Sequence, residues 1–474
     1  MAKLIPIYTW NKGILEFSKR SDKLTHKPWF QGVLLLAFVA LAMLLANLPF
    51  TRHLYHSVLE TQLQIRLHSA NDAVNILFPR DLTIEKFIND ILMVIFFFTV
   101  GLEIRREVAH GELSSVKKAL LPVIAAFGGV IAPALIYIAI NHGTEAASGW
   151  GIPTATDIAF AVCILSVLSD KVPVSLKVFL TALAIADDLI AILVVAFFYG
   201  GSINLPLLGI ALLVILFALL LRYLGEKHIF PYLLCAVIVW GLFYYSGIHA
   251  TMSGVVMAFL IPATSRYNKA QYIHKRNKYL ERLAKYDGID GEPFPNGPQK
   301  HCLRKLEHIA HGTMDMSYRV EHALSPWVNF LIMPIFALAN AGVEITDPSY
   351  FNVFSYDPAL GSVSMGVFLG LLLGKPLGIT LFSWIAIKLK VGEMPHGANW
   401  KMFIAVACLG GIGFTMSIFV DTLSFGDLLP GVTSHLRDAG KIAVLLGSVC
   451  AGILGSLLIT IVDKMNRSKG IISK

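Results

Sequence analysis

Long apolar runs separated by short polar segments dominate this chain. Twelve apolar segments can be distinguished, and most reach the roughly 20 residues that an α-helix needs to cross a bilayer. Their approximate limits are residues 30–50, 87–104, 119–140, 151–169, 174–200, 204–224, 229–246, 248–263, 326–344, 362–387, 400–423 and 437–463. The pattern predicts an all-α multi-pass membrane protein with twelve transmembrane helices.

Lysine and arginine collect in alternate connecting segments, and this distribution orients the predicted helices. The segments after spans three, five, seven and nine contain no Lys or Arg, whereas both tails and the segments after the even spans are basic. Because positive residues stay on the cytoplasmic side, both termini are predicted to be cytoplasmic. The predicted regions are a tail 1–29, a twelve-helix domain 30–463 with an outer hairpin or loop 51–86 and a cytoplasmic insert 264–323, and a tail 464–474.

The composition excludes several other classes of protein. Apolar residues make up 55% of the chain and charged residues 15%, whereas a soluble protein carries about 25% charged residues. Four of the five cysteines lie in apolar runs, and no CxxC or Cys/His cluster indicates a metal centre or disulfide framework. The net charge of +8 is spread over alternate loops, so no nucleic-acid partner is indicated. No cofactor is predicted.

Two adjacent acids, Asp187 and Asp188, stand at the midpoint of the apolar run 174–200. A carboxylate at that depth is costly unless it is protonated, paired or in contact with a cation. Burial and mutual repulsion both favour the protonated carboxyl, and carboxylate oxygens suit a small hard cation. The pair is therefore predicted to bind protons and a cation such as sodium; the alternative is a structural salt bridge.

A lysine, Lys375, occupies the centre of the tenth span, about twelve residues or roughly 18 Å from either end. Its side chain is too short to reach water, so it must pair with an acid, cap backbone carbonyls or be neutral. The following Pro376 frees a carbonyl one turn earlier. Alternatively, Lys375 has a purely structural role and holds neighbouring helices together. The structural and the functional role are compatible.

The fourth and eleventh spans are interrupted by Gly, Pro and polar residues, at 151–157 and 410–417. Irregular backbone at membrane depth is tolerated only where it is buried in protein or lines a wet cavity. Paired interruptions in the two halves of a transporter indicate the binding site. Asp157 follows the first break; it is either the N-cap of the second half-helix, assisted by Thr154 and Thr156, or a charge that balances the facing helix ends.

A further polar group lies at the cytoplasmic ends of the spans. Such a cluster of acids with a histidine can change charge between pH 5 and 8, although a solvated interfacial face is the simpler interpretation. The histidine in the turn 247–251 is equally compatible with packing. The residues are Glu103, Arg106, Glu107, Glu321, His322 and, in the turn, His249.

Several motifs closely resemble those of the NhaA-type sodium/proton antiporters, in order over about residues 28 to 463. They are Phe98–Glu107, Thr156–Ala161, Leu183–Leu189, Ser246–Thr251, Phe336–Gly342, Gly374–Gly378 and Gly411–Ser417. The resemblance implies inverted repeats and two interrupted helices that cross, spans four and eleven. Two departures are Ser325, where the best-known members carry a further histidine, and the long insert 264–323.

The same resemblance implies roles for individual residues. Asp187 and Asp188 would form the ion and proton site, with Asp188 the stronger sodium ligand and Asp187 the partner of Lys375. Asp157 would be a site residue and Thr156 a ligand. The implied pH-response residues are Glu103, Arg106, Glu107, His249, Glu321 and His322.

The resulting prediction is an electrogenic secondary antiporter, not an enzyme, in a bacterial inner membrane. It would export sodium or lithium in exchange for protons under pH control and so serve sodium and pH homeostasis. The outer segment 51–86 resembles a dimer contact of the family, so a homodimer is one expected assembly. The alternatives are a passive cation channel and an intramembrane aspartyl protease, although the segment 410–413 lacks the aspartate that such proteases carry beside it.

Overall fold

The computed structural model describes residues 28–63, 65–68, 75–78, 82–111, 113–201, 203–226, 228–263, 265, 267–285, 297–345, 352–358, 360–425 and 430–468. The predicted tails therefore lie outside the described residues at 1–27 and 469–474, as does 286–296 in the middle of the insert.

The first part of the chain is helical except for one two-stranded hairpin. In that hairpin the strands run antiparallel, with Ile65 opposite Phe78. The elements are α1 Pro28–Asn47, α2 Arg52–Glu60, β1 Ile65–His68, β2 Asn75–Phe78, α3 Ile84–Phe87, α4 Met93–His110 and α5 Val116–Asn141.

The central part contains the first interrupted span and the insert. A 3₁₀-helix, Glu145–Thr154, precedes α6, and a short 3₁₀ turn, Ser169–Lys171, precedes α7. The helices are α6 Ile158–Val167, α7 Val174–Phe198, α8 Leu205–Tyr223, α9 Ile229–Ser246, α10 Thr251–Leu260, α11 Lys269–Ala284 and α12 Gly297–Thr313.

The last part contains the second interrupted span. Its helices are α13 Met316–Trp327, α14 Met333–Asn340, α15 Val363–Leu369, α16 Lys375–Lys388, α17 Trp400–Leu409, α18 Phe414–Ser424 and α19 Pro430–Ser468. In the part of the chain that the structure describes, three π-helical stretches join consecutive helices: Ile88–Leu92, Val328–Ile332 and Gly370–Gly374. Pro334 and Pro376 each come two residues after such a stretch. Because proline lacks an N–H group, the regular i→i−4 bond is lost there.

Among the described residues, nine helices are long and apolar enough to cross a membrane, and up to eleven spans result if each bent helix pair counts as one. The bent pairs are Glu145–Thr154 with α6, at 42°, and α17 with α18, at 51°. The predicted eighth span, 248–263, is shorter than expected, because α10 has only 10 residues. At a rise of about 1.5 Å per residue, α10 is about 15 Å long.

The chain divides into two compact units. One contains the described parts of Met1–Met93, Glu107–Gly200 and Asn329–Lys474, and the other contains Val94–Arg106 and the described parts of Gly201–Val328. In the first unit α2 is fixed by Tyr55, whose hydroxyl donates to the carbonyl of Leu338 at 2.7 Å. The predicted ion-site residues all belong to this unit.

The second unit has its own apolar core, to which Phe98, Tyr232 and Met257 contribute. Arg105 is buried and its guanidinium donates to the carbonyls of Phe259, at 2.7 Å, and Ile261. These carbonyls end α10, so a cation there satisfies acceptors that the helix leaves open. In the insert, α11 begins with a capping box formed by Asn268 and Gln271.

Glycines allow α5 and α16 to approach each other closely in the first unit. A Cβ atom on Gly378 would lie 2.0 Å from the carbonyl oxygen of Gly128, and one on Gly128 would lie 2.3 Å from the carbonyl oxygen of Gly378. The next residue, Gly129, faces the stem of Lys375, whose Cδ would lie 3.6 Å from an added Cβ. Small residues at this crossing therefore place Lys375 in the protein interior.

We expect Gly378→Ala to destabilise the protein by about 1–3 kcal/mol, because the added methyl group meets backbone rather than a movable side chain. Thermal unfolding in detergent measures the effect. Gly209→Ala in α8 is the matched control, since a Cβ there meets nothing within 4 Å. Equal melting temperatures for the two variants would contradict this account of the α5–α16 crossing.

Candidate functional site

The breaks in the two bent helix pairs contact each other through backbone and side-chain hydrogen bonds. The amide of Asp157 donates to the carbonyl of Ile412 at 2.7 Å. The hydroxyl of Thr156 donates to the carbonyl of Gly410 at 2.8 Å. The irregular backbone of each span is thus satisfied by the other, which is how interrupted helices persist at membrane depth.

Asp157 accepts hydrogen bonds at the N-terminal ends of two helices. It is the N-cap of α6, where its Oδ1 accepts from the amide of Phe160 at 3.2 Å. Its Oδ2 accepts from the amide of Thr415 at 3.1 Å and from the Thr415 hydroxyl, at the start of α18. A carboxylate between two helix N-termini meets partial positive charge from both. The N-cap role and the charge-balancing role considered from the sequence therefore coincide in one side chain.

The start of α18 is completed by a residue of α19. The amides of Gly413 and Phe414 both donate to the hydroxyl of Ser448, at 3.2 Å each. With Thr415 bound to Asp157, three of the first amides of α18 have side-chain acceptors. The sequence analysis named neither Thr415 nor Ser448, because their roles depend on which helices pack against the break.

Lys375 and Asp187 form a buried ion pair. Lys375 Nζ lies 2.6 Å from Asp187 Oδ2, and the exposed fraction of either side chain is 1%. Lys375 also donates to the hydroxyl of Thr156 at 2.8 Å. The lysine thus reaches the carbonyl of Gly410 through Thr156 rather than capping a carbonyl directly, and an acid is its main partner.

Asp188 is the neighbour of this pair on α7 and is itself buried, with 3% of its surface exposed. Successive helical residues point about 100° apart, so Asp188 faces a different direction from Asp187. It is close enough to act electrostatically on Lys375. The second oxygen of Asp187, Oδ1, has no hydrogen-bond partner among the described residues. The structure therefore brings together Asp157, Thr156, Asp187, Asp188 and Lys375.

Four of the predicted pH-response residues belong to the second unit and make contacts there. In the second unit, Arg106 forms an ion pair with Glu321 and lies 3.8 Å from Glu103. His322 stacks on Tyr318, with ring centroids 5.5 Å apart and an interplanar angle of 9°.

The remaining two predicted residues are His249 and Glu107. His249 precedes α10, and its carbonyl accepts from the amide of Met252 at 3.0 Å. Glu107 belongs to the first unit, where its carbonyl accepts from the amide of Gly111 at 3.0 Å.

The sequence analysis did not name Asp421, which is a fully buried acid. Asp421 lies in α18 with no exposed surface. The run 400–423 contains it, so the rule that singled out Asp187 would have found it. Its position two residues before the end of that run resembles that of an ordinary helix-end acid, and only the packing of α18 shows that it is buried.

Comparison with known proteins identifies a matching family and several similar proteins. Residues 22–459 match the family described as Na⁺/H⁺ antiporter 1. The chain is 41% identical to the Na⁺/H⁺ antiporter NhaA of Oleidesulfovibrio alaskensis over 433 residues, which is 91% of each chain. It is 42% identical to the NhaA antiporter of Acidithiobacillus ferrooxidans over 443 residues, covering 93% of this chain and 96% of that one.

A third relative is the protein named Na⁺/H⁺ antiporter NhaA 1 of Klebsiella pneumoniae. The identity is 38% over 429 residues, which cover 90% of this chain and 93% of the relative. The similarity therefore extends across both interrupted spans and all the predicted ion-site residues.

Proposed function

This chain belongs to the Na⁺/H⁺ antiporter 1 family, and from that premise we propose that it exports sodium or lithium ions in exchange for a larger number of protons. It is a multi-pass membrane protein and a secondary transporter rather than an enzyme. The single observation that carries the proposal for the site is the buried Asp187–Lys375 ion pair beside Asp188, at the contact between two interrupted helices.

We assign the cation to Asp188 and Asp187, with Thr156 and Asp157 as neighbouring oxygen donors. A sodium ion that binds both aspartates must compete with the ammonium group of Lys375 for Asp187. Because both charges would then act on one carboxylate in a low-dielectric interior, sodium binding favours release of the lysine proton. Protons that bind the aspartates compete with sodium directly. The site therefore does not bind both ligands at the same time.

This competition determines how many protons are exchanged for each sodium ion. One sodium ion displaces a proton from Asp188 and a second proton from the Asp187–Lys375 pair. Because more than one proton enters for each sodium ion that leaves, the exchange is electrogenic. It would therefore use both the membrane potential and the pH gradient, and it would serve sodium and pH homeostasis.

We propose twelve spans arranged as inverted repeats. The nine long helices, the two bent pairs and the short α10 supply twelve segments. An even number places both termini on one side, and the Lys and Arg distribution assigns that side to the cytoplasm of a bacterial inner membrane. Alternating access would then come from one group of helices moving against another around the fixed site.

The hairpin formed by β1 and β2 is our proposed contact for a homodimer. A two-stranded hairpin is marginally stable alone. Among the described residues each strand pairs along one edge, and its other edge could pair with another chain. Cysteine pairs introduced in β1 and β2 should cross-link two copies in the membrane. Monomer-only products would contradict this assembly.

The function is tested by adding sodium to proteoliposomes and recording proton movement with a pH-sensitive dye. We expect proton release from the lumen that depends on sodium and on the reconstituted protein. Calorimetry in weak buffer would count the protons displaced when sodium binds. Sodium flux that needs no proton movement would favour a passive channel, and peptide cleavage would favour the protease.

We also propose that Glu103, Arg106, Glu107, Glu321, His322 and His249 adjust the response to pH. Glu321 contributes a negative charge to this cluster, where it pairs with Arg106, and the substitution to Gln removes that charge. The Glu321→Gln variant should therefore move the pH profile of exchange toward acid by up to about one unit, a differential interaction of about 1.4 kcal/mol. The maximal rate should be retained.

Dye-quench assays across pH measure this shift. Glu281→Gln, an exposed glutamate on α11, is the matched control. If both variants keep the profile of the unmodified protein, the cluster has no part in the pH response.

A further inference from the structure

The buried acid Asp421 takes no part in the ion site described above. None of its surface is exposed, and neither carboxylate oxygen has a hydrogen-bond partner among the described residues. A buried carboxylate without donors is unfavourable, because its desolvation is not compensated. The carboxylate of Asp421 is therefore expected to bind either a proton or a cation.

Asp421 belongs to a polar stripe on α18. Ser417, Asp421 and Ser424 are spaced by four and three residues, which places them on one helix face. The hydroxyl of Ser417 is also buried without a hydrogen-bond partner in the part of the chain that the structure describes. The stripe begins close to the break, where Thr415 binds Asp157. Asp421 lies six residues further, about 9 Å along the helix axis.

A glycine on α19 makes room for this carboxylate. A Cβ atom on Gly440 would lie 2.0 Å from Asp421 Oδ1, so the acid occupies the space that a side chain would fill. The same helix carries Arg437, Asp438 and Lys441, whose charges act on Asp421.

Two tyrosines on other elements also lie near Asp421. Tyr137 and Tyr199 are close enough to interact electrostatically with Asp421. Their hydroxyls already donate to backbone carbonyls, Tyr137 to Ala146 and Tyr199 to Ser148, at 2.8 Å each. The packed helix α14 carries no titratable side chain. The 3₁₀-helix Glu145–Thr154 also packs against α18, but its acid, Glu145, is exposed and is not among the charges that act on Asp421. Among the described residues, those charges are the three on α19.

These surroundings favour a proton over a metal ion. Arg437 and Lys441 repel a second cation, whereas they stabilise the ionised carboxylate that remains when a proton leaves. Burial stabilises the protonated form. Because the two influences oppose each other, Asp421 can alternate between a neutral and an ionised state.

We propose that Asp421 is a second proton-binding site of the transporter, which takes up protons on the outer side and passes them along Ser417 toward the ion site. The proposal rests on the exchange function proposed above. A proton from water binds one carboxylate oxygen and gives a neutral carboxyl. On release it passes to the Ser417 hydroxyl, which accepts this proton and gives up its own toward the ionised carboxylates of the ion site, and Asp421 regains its negative charge beside Arg437 and Lys441.

Infrared difference spectra of the purified protein between acid and alkaline pH test the proton site itself. We expect a band of a protonated carboxyl group that Asp421→Asn removes. Gly440→Ala should shift this band, because its methyl group displaces the carboxyl. Thr422→Val should leave it unchanged, since the Thr422 hydroxyl is already bound to the carbonyl of Phe419 at 2.7 Å. A band that survives Asp421→Asn would overturn the assignment.

Exchange assays test the role in transport. At alkaline pH, where protons are scarce and their capture limits the rate, Asp421→Asn and Ser417→Ala should each exchange about tenfold more slowly, a barrier increase of about 1.4 kcal/mol. Sodium affinity by calorimetry should equal that of Thr422→Val. Unchanged rates across pH in both variants would overturn the relay. If the unmodified protein shows no sodium-driven proton movement, the exchange function fails instead, and the infrared band still decides whether Asp421 binds a proton.

Discussion

Replacing Asp188 by Asn is expected to abolish sodium–proton exchange while leaving the protein folded. The substitution keeps the size of the side chain and removes its charge from a buried site. Two opposite charges 4 Å apart at an effective dielectric constant of about 20 attract each other by about 4 kcal/mol. We therefore expect sodium affinity to fall by at least about 100-fold, which corresponds to about 2.7 kcal/mol.

Dye-quench assays in proteoliposomes and calorimetry of sodium binding measure this loss. Asp170→Asn is the matched control, because Asp170 is an exposed aspartate of the same unit. The melting temperature and elution volume of both variants report whether they fold. Exchange at the unmodified rate by Asp188→Asn would remove Asp188 from the site.

Replacing Lys375 by Ala is expected to cost stability and to change the pH dependence of exchange together. The substitution leaves Asp187 buried without its ammonium partner, and breaking a buried pair from one side costs about 3–5 kcal/mol. Thr156 loses a hydrogen-bond donor as well. Because the ammonium group that competes for Asp187 is then missing, the pH at which exchange is maximal should change.

Thermal unfolding and pH profiles of exchange measure the two effects. Lys388→Ala on the same helix is the control, since Lys388 is an exposed lysine in the last turn of α16. The double variant Lys375→Ala/Asp187→Ala should recover part of the lost stability, because it removes the unpaired charge. A single variant that matches the control in both measurements would exclude Lys375 from both roles.

The contacts of the two aspartates also distinguish the proposed exchange from the two alternative functions. A passive channel needs a lined pore, and its flux would not require Lys375 to exchange a proton. A protease would need two aspartates that face one water molecule. Asp187 is instead paired with a lysine and Asp157 with two helix ends. The observed contacts therefore favour competition between a cation and protons.

Hydrophobic patterning predicts most of the helices because the length of a spanning segment depends on local composition. The apolar runs locate most of the long helices to within a few residues, and the helix breakers at 151–157 and 410–413 mark both bent pairs. Two helices extend further than predicted: the one expected at 326–344 begins at Met316, and α19 extends beyond 437–463 at both ends. The same patterning overestimates the length of the helix at 248–263. There the apolar composition continues past the ends of α10, so composition alone does not show where the helix begins and ends.

The sequence by itself determined that Asp157, Asp187, Asp188 and Lys375 lie inside apolar spans, because a buried charge is conspicuous in any apolar run. Only the tertiary structure decided which groups meet. Lys375 joins Asp187 across 188 residues, and Thr415 joins Asp157 across 258. Those partners depend on how closely helices approach, which glycines at crossings such as Gly128–Gly378 and Gly440 control. For the same reason Asp421 resembles a helix-end acid in sequence and is a buried one in space.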